Sequence, residues 1–198
     1  MSSGEIEKFI SEISKLPGLG RKSAQRIALY LLKNKERNLL PLMQVMKEAN
    51  HKIVNCDICG NIDVVNPCSI CKNTKRDNQM ICVIEDMSDL WTFESIGFYR
   101  GQYHVLGGTL SAINGIGVNE LSINKLTNRI EEQNVKEVIL ALSTTMEGQT
   151  TSHVIADKLE PLKIEVTRLA QGIPIGGEVH YLDENTLSTA FKSRKKII

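Results

Sequence analysis

The sequence predicts a multi-part α/β chain with a helical N-terminal region, a four-cysteine module, a parallel-sheet domain and a short strand–helix tail. Three observations lead to this prediction. Apolar residues recur at helical spacing before residue 50, four of the five cysteines fall within residues 56–71, and short apolar runs alternate with helical segments after residue 80. We place the boundaries of the four parts at residues 1–52, 53–78, 79–172 and 173–198.

Composition is that of an ordinary globular protein, with 41% hydrophobic and 24% charged residues among 198. No apolar run approaches the ~18 residues of a membrane span, and MSSGEIEKF lacks the features of an export signal. We therefore expect a cytoplasmic protein without a membrane partner.

Residues 1–80 carry 13 Lys and Arg against 8 Asp and Glu, whereas the remainder carries 11 against 15. A basic N-terminal part suits a polyanion, although chance explains the asymmetry equally well.

The first part predicts three amphipathic helices, at residues 5–16, at residues 21–33 and from about residue 41. The first two are separated by the turn LPGLG, in which Gly18 and Gly20 supply conformational freedom. This arrangement is typical of a helix-hairpin-helix. In that motif the N–H groups of the turn and of the next helix bind phosphate oxygens.

Lys22 and Arg26 follow the turn four residues apart, so they share one face of the second helix. They add positive charge beside the predicted phosphate contact, which gives affinity without reading the base sequence. An ordinary turn between helices, followed by solvated basic residues, is the alternative interpretation.

The cysteines are spaced C-x2-C-x8-C-x2-C and are Cys56, Cys59, Cys68 and Cys71. Two such knuckles place four thiolates around one tetrahedral ion, and this spacing is typical of structural Zn²⁺. With four sulfur ligands no position stays open for water, so we expect one structural zinc ion per chain and no catalysis there. Four reduced cysteines without metal are the alternative.

The remainder predicts buried strands at residues 80–85, 103–108, 135–142 and 163–170, joined by helices at 86–97, 120–133 and 151–159. Asp86 or Ser88 is expected to cap the first of these helices, and Trp91 is expected in the core. Residues 178–198 are predicted to form one strand, one short helix and a basic end.

Glu85 ends the first of these strands, where parallel sheets bind ligands. In Toprim domains, the sheet module of topoisomerases and primases, this glutamate is joined by Asp-x-Asp after a later strand, and together they hold magnesium. Here Ser143-Thr144-Thr145 occupies that place. One carboxylate with hydroxyl neighbours is a poor site for a hard divalent cation, so two-metal phosphoryl chemistry is not expected. The chain also has no P-loop sequence.

Taken in order, LPGLGRKSAQRIALYLL, the four cysteines, VIED, YHVLGGTLSAINGIG and LAQGIPIGGEVHYLDENTL resemble the RecR family of bacterial recombination mediators over essentially the whole chain. The resemblance implies a ring-like homo-oligomer, a dimer or tetramer, that binds single- and double-stranded DNA independently of sequence. It also implies that the protein works with RecO, and in some systems with RecF, to help RecA replace single-strand-binding protein. The expected location is the bacterial cytoplasm, at the nucleoid.

The resemblance also assigns roles to residues. Lys22 and Arg26 match the DNA-contacting positions, with Arg21 a neighbour beside Gly18 and Gly20; the cysteines match the metal ligands. The acidic position linked to RecO matches Glu85, with Asp86 and Glu147 nearby. Two features depart from the family pattern, namely the loop ALSTTMEGQTTS and Gln171, where arginine is common.

Three functions follow for testing. The first is a non-enzymatic DNA-binding recombination mediator in DNA repair. The second is a magnesium-dependent Toprim enzyme, such as a nuclease, primase or topoisomerase, acting through Glu85. The third is a scaffold that binds only protein.

Overall fold

A computed structural model describes residues 4–196. The chain divides into two compact units, the first ending at Ile53 and the second beginning at Val54. Each unit has its own core and is described by itself.

The first unit is helical, as the apolar spacing predicts. Its helices are α1 (Gly4–Ser14), α2 (Arg21–Lys33) and α3 (Leu40–Lys52), with a π-helical turn at Lys35–Leu39 between the last two. Helices α1 and α2 pack through Ile10, Ala24 and Ala28, which are buried. The two alanines allow the helix backbones to approach closely, and partly buried Ile6, Phe9 and Ile13 surround the contact.

The second unit combines a small two-stranded ribbon with a four-stranded parallel sheet. Its elements in order are β1 (Val54–Asn55), β2 (Ile62–Asp63), α4 (Ser69–Lys72), β3 (Asp77–Ile84), α5 (Met87–Ile96), β4 (Gly101–Val105), α6 (Ile123–Gln133), β5 (Glu137–Ala141), α7 (Met146–Leu159), β6 (Glu165–Arg168) and α8 (Glu184–Lys192). Strands β1 and β2 pair antiparallel. The sheet order is β4-β3-β5-β6 with every pair parallel, so β3 and β5 are central.

The sheet is covered on both faces, which explains the continuous apolar runs in its strands. Ile81 and Val83 of β3 point into one core, which α6 and α7 complete with residues such as Leu126 and Ile155. Cys82 and Ile84 point into the opposite core. Leu90 of α5, Tyr99 of the loop that follows α5 and Tyr103 of β4 complete this core. Cys82, the fifth cysteine, is buried in this core as a small hydrophobic residue.

Two sequence predictions about this unit are wrong. Trp91 is 57% exposed, because Leu90 and the partly buried Phe93 occupy the face of α5 that packs on the sheet. The strand predicted in the tail is instead a 3₁₀ turn, Val179–Tyr181, before the expected short helix α8. Alternating apolar residues in EVHYL favour a strand, but a strand needs a partner to satisfy its backbone, and these residues pair with no strand in the part of the chain that the structure describes.

Candidate nucleic-acid interface and metal centre

The turn between α1 and α2 requires a glycine at one position. Gly18 has φ +76°, a conformation in which other residues are strained. The N–H of Leu19 donates to the carbonyl of Leu16 at 3.1 Å and closes the turn. Apart from the adjoining residues of the chain, no atom of residues 4–196 lies within 4 Å of where a Cβ would stand at Gly18 or at Gly20, so the backbone is open on this side.

The N-terminus of α2 has free backbone donors. Gly20 is its N-cap residue and has no side chain to accept from the first amides, and the first turn contains no acidic residue. The helical hydrogen bonds start with the Ala24 N–H, which donates to the carbonyl of Gly20 at 3.0 Å. The preceding amides therefore remain available to an anion, and the helix dipole favours negative charge there.

The three basic residues predicted at this helix end differ in their surroundings. Lys22 and Arg26 are exposed, and within residues 4–196 no ion pair includes either of them. Arg21 is also exposed, but its guanidinium pairs with the carboxylate of Glu7 at 2.5 Å. Sequence reasoning missed Glu7, which lies 14 positions earlier. Lys22 and Arg26 are therefore the two predicted cations near the glycine turn that form no ion pair within residues 4–196.

The four predicted metal ligands, Cys56, Cys59, Cys68 and Cys71, come together in the second unit and are called here the cysteine cluster. Their sulfur atoms all lie within 4.8 Å of one another, with 3.6 Å between Cys59 and Cys68 and 3.9 Å between Cys56 and Cys71. Tetrahedral coordination at a metal–sulfur distance of 2.3 Å places the sulfurs ~3.8 Å apart. The cluster has the dimensions of a closed four-thiolate site and could hold a metal ion.

Local backbone structure brings the sulfurs together. The first knuckle follows β1 and turns at Gly60, whose φ is +79° and whose N–H donates to the Cys56 carbonyl at 2.9 Å. The second knuckle is the single turn α4, in which the N–H of Lys72 donates to the Cys68 carbonyl at 3.0 Å. The knuckles meet where the N–H of Cys68 donates to the sulfur of Cys56 at 3.3 Å.

The thiols do not ionise alike without a cation. Burial opposes ionisation of Cys56, but N–H donors from Cys68, Cys59 and Ile58 together lower its pKa to about 7. Burial raises the pKa of Cys68 to about 11. A hydrogen bond with Cys71, followed by burial, raises the pKa of Cys59 well above its usual range. A divalent ion removes this competition because coordinated thiols are deprotonated.

The predicted acidic residues lie near the carboxyl ends of the central strands. Glu85 is half-buried directly after β3, and Glu147 is exposed in the first turn of α7, which follows β5. Asp86 caps α5: its carboxylate accepts from the N–H of Ser88 at 2.9 Å, so the sequence located this cap correctly. Over residues 4–196, Glu85, Asp86 and Glu147 do not form a cluster of potential metal ligands; the cysteines do.

The two departures from the family pattern meet in space. The loop Ser143-Thr144-Thr145 packs tightly on α7, and a Cβ at Gly148 would stand 2.1 Å from the Ser143 carbonyl oxygen. Thr144 and Gln171 line one cavity of about 180 Å³ beside Arg168. The altered residues therefore shape a single surface feature at the end of the sheet.

Within residues 4–196, no helix is both long enough and apolar enough to span a membrane.

The fold and these sites define a protein that joins a helix-hairpin-helix, a four-cysteine site and a Toprim sheet. Family models match "RecR, helix-hairpin-helix" at residues 6–50, "Toprim domain" at residues 79–170 and "RecR, C-terminal" at residues 172–195. The chain belongs to the RecR family of recombination proteins.

Similar proteins, each called "Recombination protein RecR", include one from Rhizobium leguminosarum that is 50% identical over 98% of this chain and 96% of its own. Others from Rhodospirillum rubrum and Erythrobacter litoralis are 49% and 46% identical over the full length of both chains.

Proposed function

We propose that the chain is a non-enzymatic recombination mediator that binds DNA through the Gly18 turn and the start of α2. One observation carries the proposal: an open glycine turn and an uncapped helix end lie beside two exposed cations, Lys22 and Arg26, that have no acidic partner among the described residues. Main-chain amides and point charges bind phosphates and ignore bases, so single- and double-stranded DNA are both ligands. Membership of a family of recombination proteins supports this role.

The proposed partners are RecO and, in some systems, RecF, with which the chain helps RecA replace single-strand-binding protein. Glu85, Asp86 and Glu147 are the proposed contacts for RecO. Their position at the carboxyl ends of parallel strands, where such sheets bind ligands, supports this assignment. The nearby cavity with Thr144 and Gln171 is expected to tune the strength of that contact.

The ion proposed for the cysteine cluster is Zn²⁺, one per chain. Four sulfur donors at tetrahedral spacing favour zinc over harder cations, and a closed site serves structure. The ribbon of β1 and β2 has few buried residues apart from the cysteines, so bound zinc would supply much of the free energy that orders it.

We further propose that the chain is a homo-oligomer, which multiplies a weak phosphate contact by avidity. Apolar surface supports this. In the first unit a groove of about 700 Å³ is lined by side chains that include Phe9, Leu42 and Met46. In the tail region, Ile175, Tyr181 and Phe191 are each more than two-thirds exposed.

The test measures RecA ATPase on single-stranded DNA coated with single-strand-binding protein, with RecO added alone or together with this chain. The mediator hypothesis expects stimulation only when both are present. Particle mass measured with and without DNA shows the assembly. No stimulation, or a chain that stays monomeric and ignores DNA, refutes the proposal.

The enzyme alternative is separated by a nicking assay on supercoiled DNA with magnesium. We expect no product from the wild-type chain. Cleavage that disappears in Glu85→Ala would instead establish the Toprim enzyme. A chain that binds RecO but shifts no DNA at low salt would be a scaffold.

A further inference from the structure

Arg129 of α6 is a buried cation without an acidic partner. Arg129 is only 6% exposed. Its Nη1 donates to the Tyr103 carbonyl at 2.6 Å and its Nε to the side-chain oxygen of Gln133 at 3.0 Å. Both acceptors are neutral, and within residues 4–196 no ion pair includes Arg129. A buried charge is strongly destabilising unless an opposite charge lies near it.

The outer edge of β4 contacts both Arg129 and the first knuckle of the cysteine cluster. Leu106 donates its N–H to Ile84 of β3 at 2.9 Å, so the N–H of the preceding residue, Val105, points away from β3. That N–H donates to the Cys59 carbonyl at 2.8 Å. The Tyr103 carbonyl bound by Arg129 lies two residues earlier on the same edge, about 7 Å away at the strand rise.

The packing between this edge and the first knuckle is close. A Cβ at Gly60 would stand 3.3 Å from the Cβ of Val105. The electrostatics agree with this proximity: burial lowers the pKa of Arg129, and negative charge on the four cysteines, Cys71 foremost, opposes that shift without cancelling it.

We propose that Arg129 is the counter-cation of the metal centre. A divalent ion with four thiolates is a doubly negative group, and its burial is unfavourable for the same reason as that of an unpaired guanidinium. Placed together, each charge offsets the desolvation of the other. Arg129 thus acts as a positioning residue that stabilises the loaded metal site and joins it to the sheet. This inference rests on the proposed binding of zinc.

The chain supplies a matched control. Arg76 is also largely buried and contacts the same strand, since its Nη1 donates to the Gly101 carbonyl at 2.9 Å. It differs from Arg129 in having its own carboxylate partner, Glu94. Arg76→Met therefore removes a buried guanidinium beside β4 without removing the counter-charge of the metal.

The experiment measures zinc affinity of the full-length chain by competition with a chromophoric chelator. Arg129→Met and Arg129→Gln remove the charge, and the glutamine keeps an N–H donor for Tyr103. We expect both to bind zinc about tenfold more weakly or worse, as for other groups outside the ligand shell. Arg129→Lys should stay within about threefold of the wild type, and Arg76→Met should match it.

A second readout separates charge pairing from a merely structural role. If Arg129 pairs with the loaded centre, its neutral variants lower the melting temperature of the zinc-loaded protein more than that of the metal-free protein. Equal lowering of both is the signature of a lost hydrogen bond to Tyr103 and overturns the inference.

The remaining outcomes are also decisive. A wild-type chain without zinc refutes the metal proposal itself, whereas a zinc-binding wild type with unchanged affinity in Arg129→Met refutes only this inference. Equal weakening in Arg76→Met also refutes it. If neither neutral variant folds, Arg129→Lys decides, because a tenfold loss of affinity with the charge retained contradicts charge compensation.

Discussion

Removing the two uncommitted cations beside the glycine turn should weaken DNA binding and flatten its salt dependence. We consider the double variant Lys22→Ala with Arg26→Ala. Both side chains are exposed and neither belongs to an ion pair within residues 4–196, so their loss leaves no acidic group unpaired. Each phosphate contact on a single strand contributes about 0.7 to the slope of log K against log salt. Loss of two contacts should reduce that slope by about 1.4 per binding unit.

The same relation gives the affinity change. At 0.1 M salt, one decade below a 1 M reference, a slope difference of ~1.4 corresponds to about 25-fold weaker binding. Fluorescence anisotropy with a labelled oligo-dT strand measures both quantities when it is repeated from about 0.05 to about 0.3 M salt, a roughly sixfold range. Zinc content should not change, because the cysteine cluster belongs to the other compact unit.

The matched control is Lys33→Ala with Lys47→Ala, which removes the same charge from exposed positions of the helical unit. Lys33 ends α2, about 18 Å along the helix from the glycine turn. An unchanged slope in the Lys22 and Arg26 variant, or an equal decrease in the control, would refute a localised phosphate site.

Three further predictions concern stability. Cys59→Ser should abolish stoichiometric zinc and lower the melting temperature, as measured by metal analysis and calorimetry, because a closed four-sulfur site loses a buried ligand. Gly148→Ala should lower the free energy of unfolding by about 1–3 kcal/mol in urea titration, since its Cβ would overlap the Ser143 backbone. Burial, together with the nearby charge of Arg129, lowers the pKa of His104 from 6.5 to about 4. As the pH falls, the unfolded chain therefore binds a proton before the folded chain does. The free energy of unfolding, at its full value above pH 6.5, falls by up to about 3 kcal/mol towards pH 4. His104→Gln should lack that component in urea titrations at each pH.

These predictions have distinct contradictory outcomes. Full zinc occupancy in Cys59→Ser would show that the ion does not need four sulfurs. Wild-type stability of Gly148→Ala would mean that the loop at Ser143 shifts freely. An identical pH dependence in His104→Gln would assign the acid loss of stability to carboxylates elsewhere.

The sequence predicted the features that depend on local chemistry. Helix α2 spans the predicted residues, since a glycine turn marks its start and a continuous apolar stripe its length. The cysteine cluster follows from spacing alone, because two knuckles leave few ways to arrange four sulfurs. Both patterns act over a few residues, where covalent geometry restricts the chain.

Features that depend on distant contacts were not predictable. The pairing of Arg21 with Glu7 requires the packing of α1 on α2. Trp91 was misplaced because the run LWTF does not reveal which of its apolar residues faces the sheet. Arg129 did leave a signal: it lies one turn after Leu126 and next to Ile130, on the apolar face of α6. A lone charge there indicates a buried counter-charge, but not its identity.

The Cys59–Val105 hydrogen bond has a consequence for solubility. An unpaired strand edge is a template for association with other chains, and the parallel sheet has one at each side, β4 and β6. Strand β6 is short and has charged residues, Glu165 and Arg168, at its ends. The β4 edge is fully buried and is shielded by the first cysteine knuckle instead. If the cysteine cluster holds zinc as proposed, chelation should expose the unpaired backbone of β4 and drive aggregation. Metal starvation would then remove the protein from solution rather than merely lower its stability.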